Sequence, residues 1–236
     1  MNRRPILLVV AAVVALTSVT AGGGCDGGGC PRVDAPGPSA AQAVLLDPGA
    51  EAFQQVPPAT YHVALETTQG EVLIEVVGAW SPLGAYRFYN LVRNGFYDGS
   101  AFYRVIPGFM AQFGVHPVPA VQAAWNEESF PDEPVTQSNE RGTLAFAQAG
   151  EDTRTTQLFI NYRHNEQLDE LGFAPIGRVV RGMGVIDRLY SGYGETSPEG
   201  AGPDYACMLS GGGEYLERRF PRLDRIITAR IVEQGG

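Results

Sequence analysis

The chain has 236 residues, 17 basic against 26 acidic side chains and a net charge of -9, with 30 glycines and 17 prolines. That length allows one sizeable domain with chain to spare, and the Gly and Pro counts call for many turns and loops. Residues 1–24 carry Arg3 and Arg4 and no acid, so the remaining body is two charges more negative still, and it forms no basic patch that would suit a nucleic acid.

The N-terminus reads as an export signal over residues 1–24. Arg3 and Arg4 form a charged start, and Ile6 to Leu16 are uninterrupted apolar residues, too few to span a membrane comfortably. Two processing routes stay open. Val19-Thr20-Ala21 fits cleavage after Ala21, whereas Gly23-Gly24-Cys25 resembles the end of a bacterial lipobox with Cys25 lipidated, although Gly22 stands where a leucine-like residue is expected. The protein is accordingly expected outside the cytoplasm, either periplasmic or held at a membrane through Cys25. With Cys25 lipidated, Cys30 and Cys207 remain as a pair; otherwise Cys25 and Cys30 could close a small loop, or Cys207 is a buried free thiol. No Cys-x-x-Cys occurs, and His62, His116 and His164 are scattered, so no metal site is expected. Residues 25–59, rich in Gly, Pro, Ala and Ser, read as a flexible tether with a root-mean-square reach of about 30–35 Å.

The folded domain is expected over 60–236. Residues 62–68 and 71–77 are strand-like runs joined through Gln69-Gly70, a hairpin. Ser81-Pro82 offers an N-cap with Pro at the first helical position. Ala85, Phe88, Tyr89 and Val92 follow at helical spacing, and Asn94-Gly95 closes the helix. A strand begins near Ala101, with further strands expected over 142–146, 158–161, 174–179 and 225–232. A short helix over 183–189 puts Met183, Ile186 and Tyr190 on one face. Residues 116–139 and 192–221 read as loops, the second with the run Gly211-Gly212-Gly213 and a helical turn over 214–220. Many short strands and two helices predict a mainly β barrel or sandwich.

The run from Phe102 to Gln112 carries the chemistry. Strand alternation would put Phe102, Arg104 and Ile106 on one face, and an arginine between large apolar neighbours must keep water or a partner for its permanent charge. The run Phe102-Tyr103-Arg104-Val105-Ile106-Pro107-Gly108-Phe109-Met110-Ala111-Gln112 resembles the cyclophilin signature Phe-His-Arg-Val-Ile-Pro-Gly-Phe-Met-x-Gln, with only Tyr103 departing. A second block, Gly142 to Gly150 with Thr156 to Asn161, resembles that family's Gly-x-x-x-(Met/Phe)-Ala-Asn-Ala and Ser-Gln-Phe-Phe-Ile. A third, Leu168-Asp169 with Ile176 to Met183, is close to its Leu-Asp and Phe-Gly-Lys-Val-x-x-Gly-Met.

The resemblance implies a closed eight-stranded antiparallel barrel capped by two α-helices. It also implies peptidyl-prolyl cis-trans isomerase activity on extended or unfolded, proline-containing polypeptides, with no cofactor and with the chain acting as a monomer. It assigns catalysis to Arg104 and Gln112. Phe109, Met110, Phe159 and Leu168 would form the proline pocket with Phe173 at its edge, Gln148 would offer its main chain to the peptide, and Gln157 would line the groove. Departures fall at Gln148 (for Asn), Phe113 (for Gly) and Gln167 (for Trp), the last putting cyclosporin binding in doubt. The rival readings are a non-catalytic proline-peptide binding or chaperone module and a structural surface lipoprotein.

Overall fold

Alternating apolar residues set the first hairpin. In the computed structural model, which describes residues 29–232, β1 (Thr60–Thr67) and β2 (Gly70–Val77) pair antiparallel. Tyr61, Val63 and Leu65 lie opposite Val76, Ile74 and Val72, and all six side chains are buried on one face, as a period of two requires. The remaining strands are β3 (Arg104–Ile106), β4 (Met110–Phe113), β5 (Thr143–Phe146), β6 (Leu158–Asn161), β7 (Pro175–Arg181) and β8 (Ile226–Val232). They form one antiparallel eight-stranded sheet in the order β3-β4-β6-β5-β7-β2-β1-β8, with β3 and β8 at its two ends. A single bridge joins Ala101, just ahead of β3, to Arg225, just ahead of β8.

The expected helix forms as α1 (Pro82–Arg93), with Pro82 at its start and Ala85, Phe88, Tyr89 and Val92 buried against the sheet. Its N-terminus is capped differently from the expectation. The free amides of Leu83 and Gly84 donate to the Glu133 carboxylate at 2.7 and 3.1 Å, and the Ser81 hydroxyl donates to the same group. Gly95, at φ 73°, then turns the chain out of the helix.

Three regions differ from the sequence expectations. The expected loop 116–139 contains α2 (Pro119–Asn126), whose Val121 and Trp125 are buried one turn apart; its flanking prolines disguise a helix of barely two turns. The expected tether packs on the domain. Leu45 and Phe53 sit in the main core, Trp125 donates from Nε1 to the Leu45 carbonyl at 2.9 Å, and Phe53 meets Trp125 edge-on at 4.8 Å. Two 3-10 segments, Ala40–Leu46 of about two turns and Glu51–Phe53 of one, carry these residues, too short to leave a sustained period to read.

The third difference lies in the expected loop 192–221. After the four-residue helices α3 (Gln167–Glu170) and α4 (Met183–Ile186) it holds α5 (Tyr205–Arg219), kinked at Gly212. That glycine has φ 53°, and a Cβ there would lie 2.1 Å from the Pro117 carbonyl oxygen, so the glycine run serves close packing rather than a loop. A second core forms under α5 from Tyr103, Val115, Met208, Tyr215 and Leu223. Cys207, in α5, is not a free thiol: it forms a disulfide with Cys30. The export signal and Cys25 lie outside the described residues. Among the described residues, no helix is long and apolar enough to cross a membrane.

Candidate active site

The turn Pro107-Gly108 folds β4 back on β3, and Gly108 takes the positive φ of 70° that the turn requires. The register sets Arg104 opposite Gln112, Gln112 opposite Phe159, and Phe159 opposite Ala145, so one row of side chains crosses four strands. Cross-strand neighbours share a face. Arg104 Nη1 therefore reaches Gln112 Oε1 at 3.0 Å, with the Phe159 ring beside them.

A pocket opens on this row, lined by Arg104, Phe109, Met110, Gln112, Ala147, Phe159, Leu168 and Phe173. Met110, Phe159, Leu168 and Phe173 are buried and pack with one another, and Phe159 and Phe173 meet edge-on at 5.7 Å. The walls are pinned by a buried asparagine network. Asn165 Nδ2 donates to the Phe109 carbonyl at 2.9 Å and to Asn161 Oδ1 at 2.6 Å, Asn161 Nδ2 donates to Asn139 Oδ1 at 3.0 Å, and Asn139 Nδ2 donates to the Phe173 carbonyl at 2.8 Å. Asp169 closes the network on Asn139. Burial pushes the Asp169 carboxyl up, but hydrogen bonds from Ser138 and Asn139 outweigh it and leave it below the ordinary value.

A polar chain runs along the other flank. Gln112 Nε2 faces Gln157 Oε1 at 3.4 Å, the Tyr103 hydroxyl donates to that same oxygen, and Gln157 Nε2 donates to the Tyr205 hydroxyl at 2.6 Å. Burial raises the phenol pKa of Tyr103 and of Tyr205, so both rings stay neutral.

At the rim, Glu195 pairs with Arg104 through both carboxylate oxygens. Burial pushes the Glu195 carboxyl up; the Arg104 guanidinium and then the Thr196 amide and hydroxyl pull it further the other way, so it lies below the ordinary value. A depressed carboxyl keeps its pairing above the ordinary carboxylate pKa and loses it only in stronger acid. The ion pair is thus intact near neutrality.

Of the residues singled out in the sequence, Arg104, Phe109, Met110, Gln112, Phe159, Leu168 and Phe173 meet in this pocket. Gln157 lies on the polar flank. Gln148 follows the lining residue Ala147, with its side chain turned to the Leu171 carbonyl at 3.0 Å. Phe102 belongs to the main core with Phe113, because β3 begins only at Arg104 and the alternation does not extend back to it. Tyr103, expected on the far face, reaches the site for the same reason. Glu195 and Tyr205 carry no motif, and an acid and a tyrosine in a Gly-rich stretch gave no signal.

Comparison with known proteins supplies the remaining observations. The family model for cyclophilin type peptidyl-prolyl cis-trans isomerase/CLD matches residues 62–202. Peptidyl-prolyl cis-trans isomerase A of Dickeya dadantii is 35% identical over 147 residues, covering 60% of this chain and 75% of that protein. Peptidyl-prolyl cis-trans isomerase-like 1 of Mus musculus is 33% identical over 141 residues, covering 57% and 84%. A crystal structure of a Cryptosporidium parvum cyclophilin type peptidyl-prolyl cis-trans isomerase overlays with a TM-score of 0.56 at 18% identity, over 75% of this chain and 99% of that one. A structure of the same protein in the presence of the dipeptide Ala-Pro gives 0.54 at 19% identity, over 73% and 99%.

Proposed function

The chain belongs to the cyclophilin type peptidyl-prolyl cis-trans isomerases, and from that premise we propose that Arg104 carries the catalysis, on proline-containing polypeptides held in the adjoining pocket. Rotation about a peptide bond faces a barrier of about 18–20 kcal/mol because the nitrogen lone pair is conjugated with the carbonyl. At X-Pro the isomers are close in energy yet exchange over tens to hundreds of seconds. In the twisted transition state the prolyl nitrogen regains its lone pair. A donor aimed at that nitrogen binds the transition state better than either ground state, which is the condition for catalysis. A hundred-thousandfold acceleration asks for about 7 kcal/mol of such differential binding.

Arg104 suits this role because it is permanently protonated and stands at the rim of an apolar pocket sized by Phe109, Met110, Phe159, Leu168 and Phe173. The observation that carries the reading is the Arg104–Gln112 pair, cross-strand and hydrogen-bonded, directly over that pocket. Gln112 holds the peptide backbone beside Arg104. Gln157 lines the groove, and the Gln148 main chain pairs with the extended client. The test is exchange NMR of an X-Pro peptide with the purified full chain and its Arg104→Ala variant. Acceleration at least a hundredfold weaker in the folded variant supports the role, and equal acceleration removes it.

Three finer readings go with it. The sheet closes into a barrel; the support is the Ala101–Arg225 bridge and its flanking hydrogen bonds, Phe102 amide to Asp224 carbonyl at 2.9 Å and Gly99 amide to Ile226 carbonyl at 2.8 Å. The protein works outside the cytoplasm, after cleavage at Ala21 or lipidation of Cys25. In support, the N-terminal pattern is that of an export signal, and a disulfide such as Cys30–Cys207 persists in oxidising compartments. It acts as a monomer: Arg104, Gln112 and the apolar walls all lie within this chain, so the reading calls for no second copy. The mass of the mature N-terminal peptide separates the two processing routes, and sedimentation measures the oligomeric state.

A further inference from the structure

Arg104 is not free to choose its orientation. Its Nε donates to Glu195 Oε1 at 2.5 Å and its Nη2 to Oε2 at 2.7 Å, while Nη1 donates to Gln112 Oε1 at 3.0 Å. Two parallel bonds to one carboxylate fix the plane of a guanidinium as well as its position. Of its five N–H groups three are thereby engaged, and one remains on each of Nη1 and Nη2.

The loop that presents Glu195 is itself built tightly around that residue. Thr196 donates its amide to Glu195 Oε1 at 2.9 Å and its hydroxyl to the same atom at 3.2 Å. The Glu195 carbonyl accepts from the Gly202 amide at 2.8 Å, and the Thr196 carbonyl from the Gly200 amide at 2.9 Å. A Cβ at Gly200 or Gly202 would fall 2.4 or 2.5 Å from the Glu195 carbonyl oxygen, so any larger residue would displace the turn. The loop then runs directly into α5, whose Tyr205 takes the Gln157 hydrogen bond on the other flank of the groove. The carboxylate is delivered to the guanidinium by folded structure on both sides.

We propose that Glu195 is the positioning residue for Arg104. It holds the guanidinium plane so that the two unengaged N–H groups address the prolyl nitrogen. This rests on the reading of Arg104 as the catalytic donor. The physical gain is preorganisation: a long arginine side chain loses rotamer freedom when it is aimed, and a donor already oriented needs no rearrangement as the amide twists. The proline pocket is lined by apolar walls to which Glu195 does not belong, so its loss acts on turnover rather than on binding.

The test measures peptide exchange by NMR across peptide concentrations for the wild-type chain, Glu195→Ala and Glu195→Gln, alongside the 15N–1H signal of Arg104 Nε. That signal is assigned by its disappearance in Arg104→Lys. The expected result for Glu195→Ala is a kcat about tenfold lower with KM within twofold, together with a shift of the Nε–H signal to a solvent-exchanging position. Glu195→Gln keeps a neutral acceptor and falls between the two, which guards against misfolding of the alanine variant. A kcat within twofold of wild type in both variants overturns the proposal, whether or not the signal moves. A kcat that rises overturns it too, showing Glu195 to restrain Arg104 rather than aim it. A wild-type chain without acceleration removes the Arg104 reading first, and this one with it; a Nε–H signal that still moves in Glu195→Ala then leaves the ion pair as structure alone.

Discussion

Two arginines in this molecule each face carboxylates, and they do opposite things. Arg154 is 1% exposed and enclosed on every side: it meets Glu133 at 3.2 Å and Asp132 at 3.3 Å, donates to the Pro131 carbonyl, and lies over the Phe130 ring at 4.5 Å. Through Glu133 it organises the N-terminus of α1. Arg104 is 12% exposed in its side chain, pairs with Glu195 and Gln112, and keeps two donors beside an apolar pocket. Burial turns a charge into a structural pin. Leaving one edge open keeps donors of the same side chain available beside the pocket.

The largest effect expected from this contrast is on stability at Arg154. Arg154→Ala leaves Glu133 and Asp132 without their cation and should cost about 3–5 kcal/mol, measured by urea unfolding. A loss under 1 kcal/mol would break the comparison on the structural side.

His116 sharpens it with a buried group that avoids charge altogether. Its Nδ1 accepts the Val118 amide at 3.0 Å, and burial lowers its pKa to about 4. The folded pKa lies below the unfolded value near 6.5, so the unfolded chain takes up the proton first. Stability is complete above about pH 6.5 and falls as the pH drops toward 4, by up to about 3 kcal/mol. His116→Asn, which keeps an acceptor for Val118, should flatten that part of the pH dependence; an unchanged slope would assign it to other groups.

On the functional side, Arg104→Ala should lower kcat/KM at least a hundredfold, roughly 2.7 kcal/mol of barrier. It should change unfolding stability by no more than about 1 kcal/mol, because its ion pair is partly open to solvent. Comparable losses in stability and rate would mean that the two arginines are not different in kind. The smallest effect is expected at Tyr103→Phe. It removes one donor to Gln157 Oε1 while Gln112 still faces that atom, so a fall of about two- to fivefold in kcat/KM is expected with folding intact.

The local half of the site was legible and the distant half was not. Arg104 and Gln112 lie eight residues apart across one turn, so strand register alone brings them together, and the resemblance of the run to a known signature supplied their roles. Phe159, Leu168 and Phe173 were found only through the resemblance, since taken singly each reads as core. Glu195 stands 91 residues from its partner in a stretch whose glycines look like a loop, and a salt bridge leaves no periodicity in either strand or helix. Of α5 only the second half was read, as a helical turn over 214–220, because Gly211 to Gly213 break the helical pattern where the helix packs on Pro117; the anchoring of the N-terminal segment rests on Leu45 and Phe53, eight residues apart in a stretch with no sustained period. Seven strands were readable as separate runs; β4, which follows directly on the Pro107-Gly108 turn, was not, and the count of eight came only from the resemblance, while the approach of the two sheet ends at Ala101 and Arg225 left no local pattern.

The disulfide between Cys30 and Cys207 has a geometric consequence for an anchored form of the protein. A leash that is free from residue 25 to residue 59 would let the domain swing through about 30–35 Å. With Cys30 fastened to α5, only five residues separate a lipid on Cys25 from the body of the domain, a reach of about 12 Å. A chain lipidated there would sit close to the membrane rather than at the end of a long leash. The helix that borders the groove is the same one that carries the link, so the mouth of the site would stay within that short reach of the bilayer.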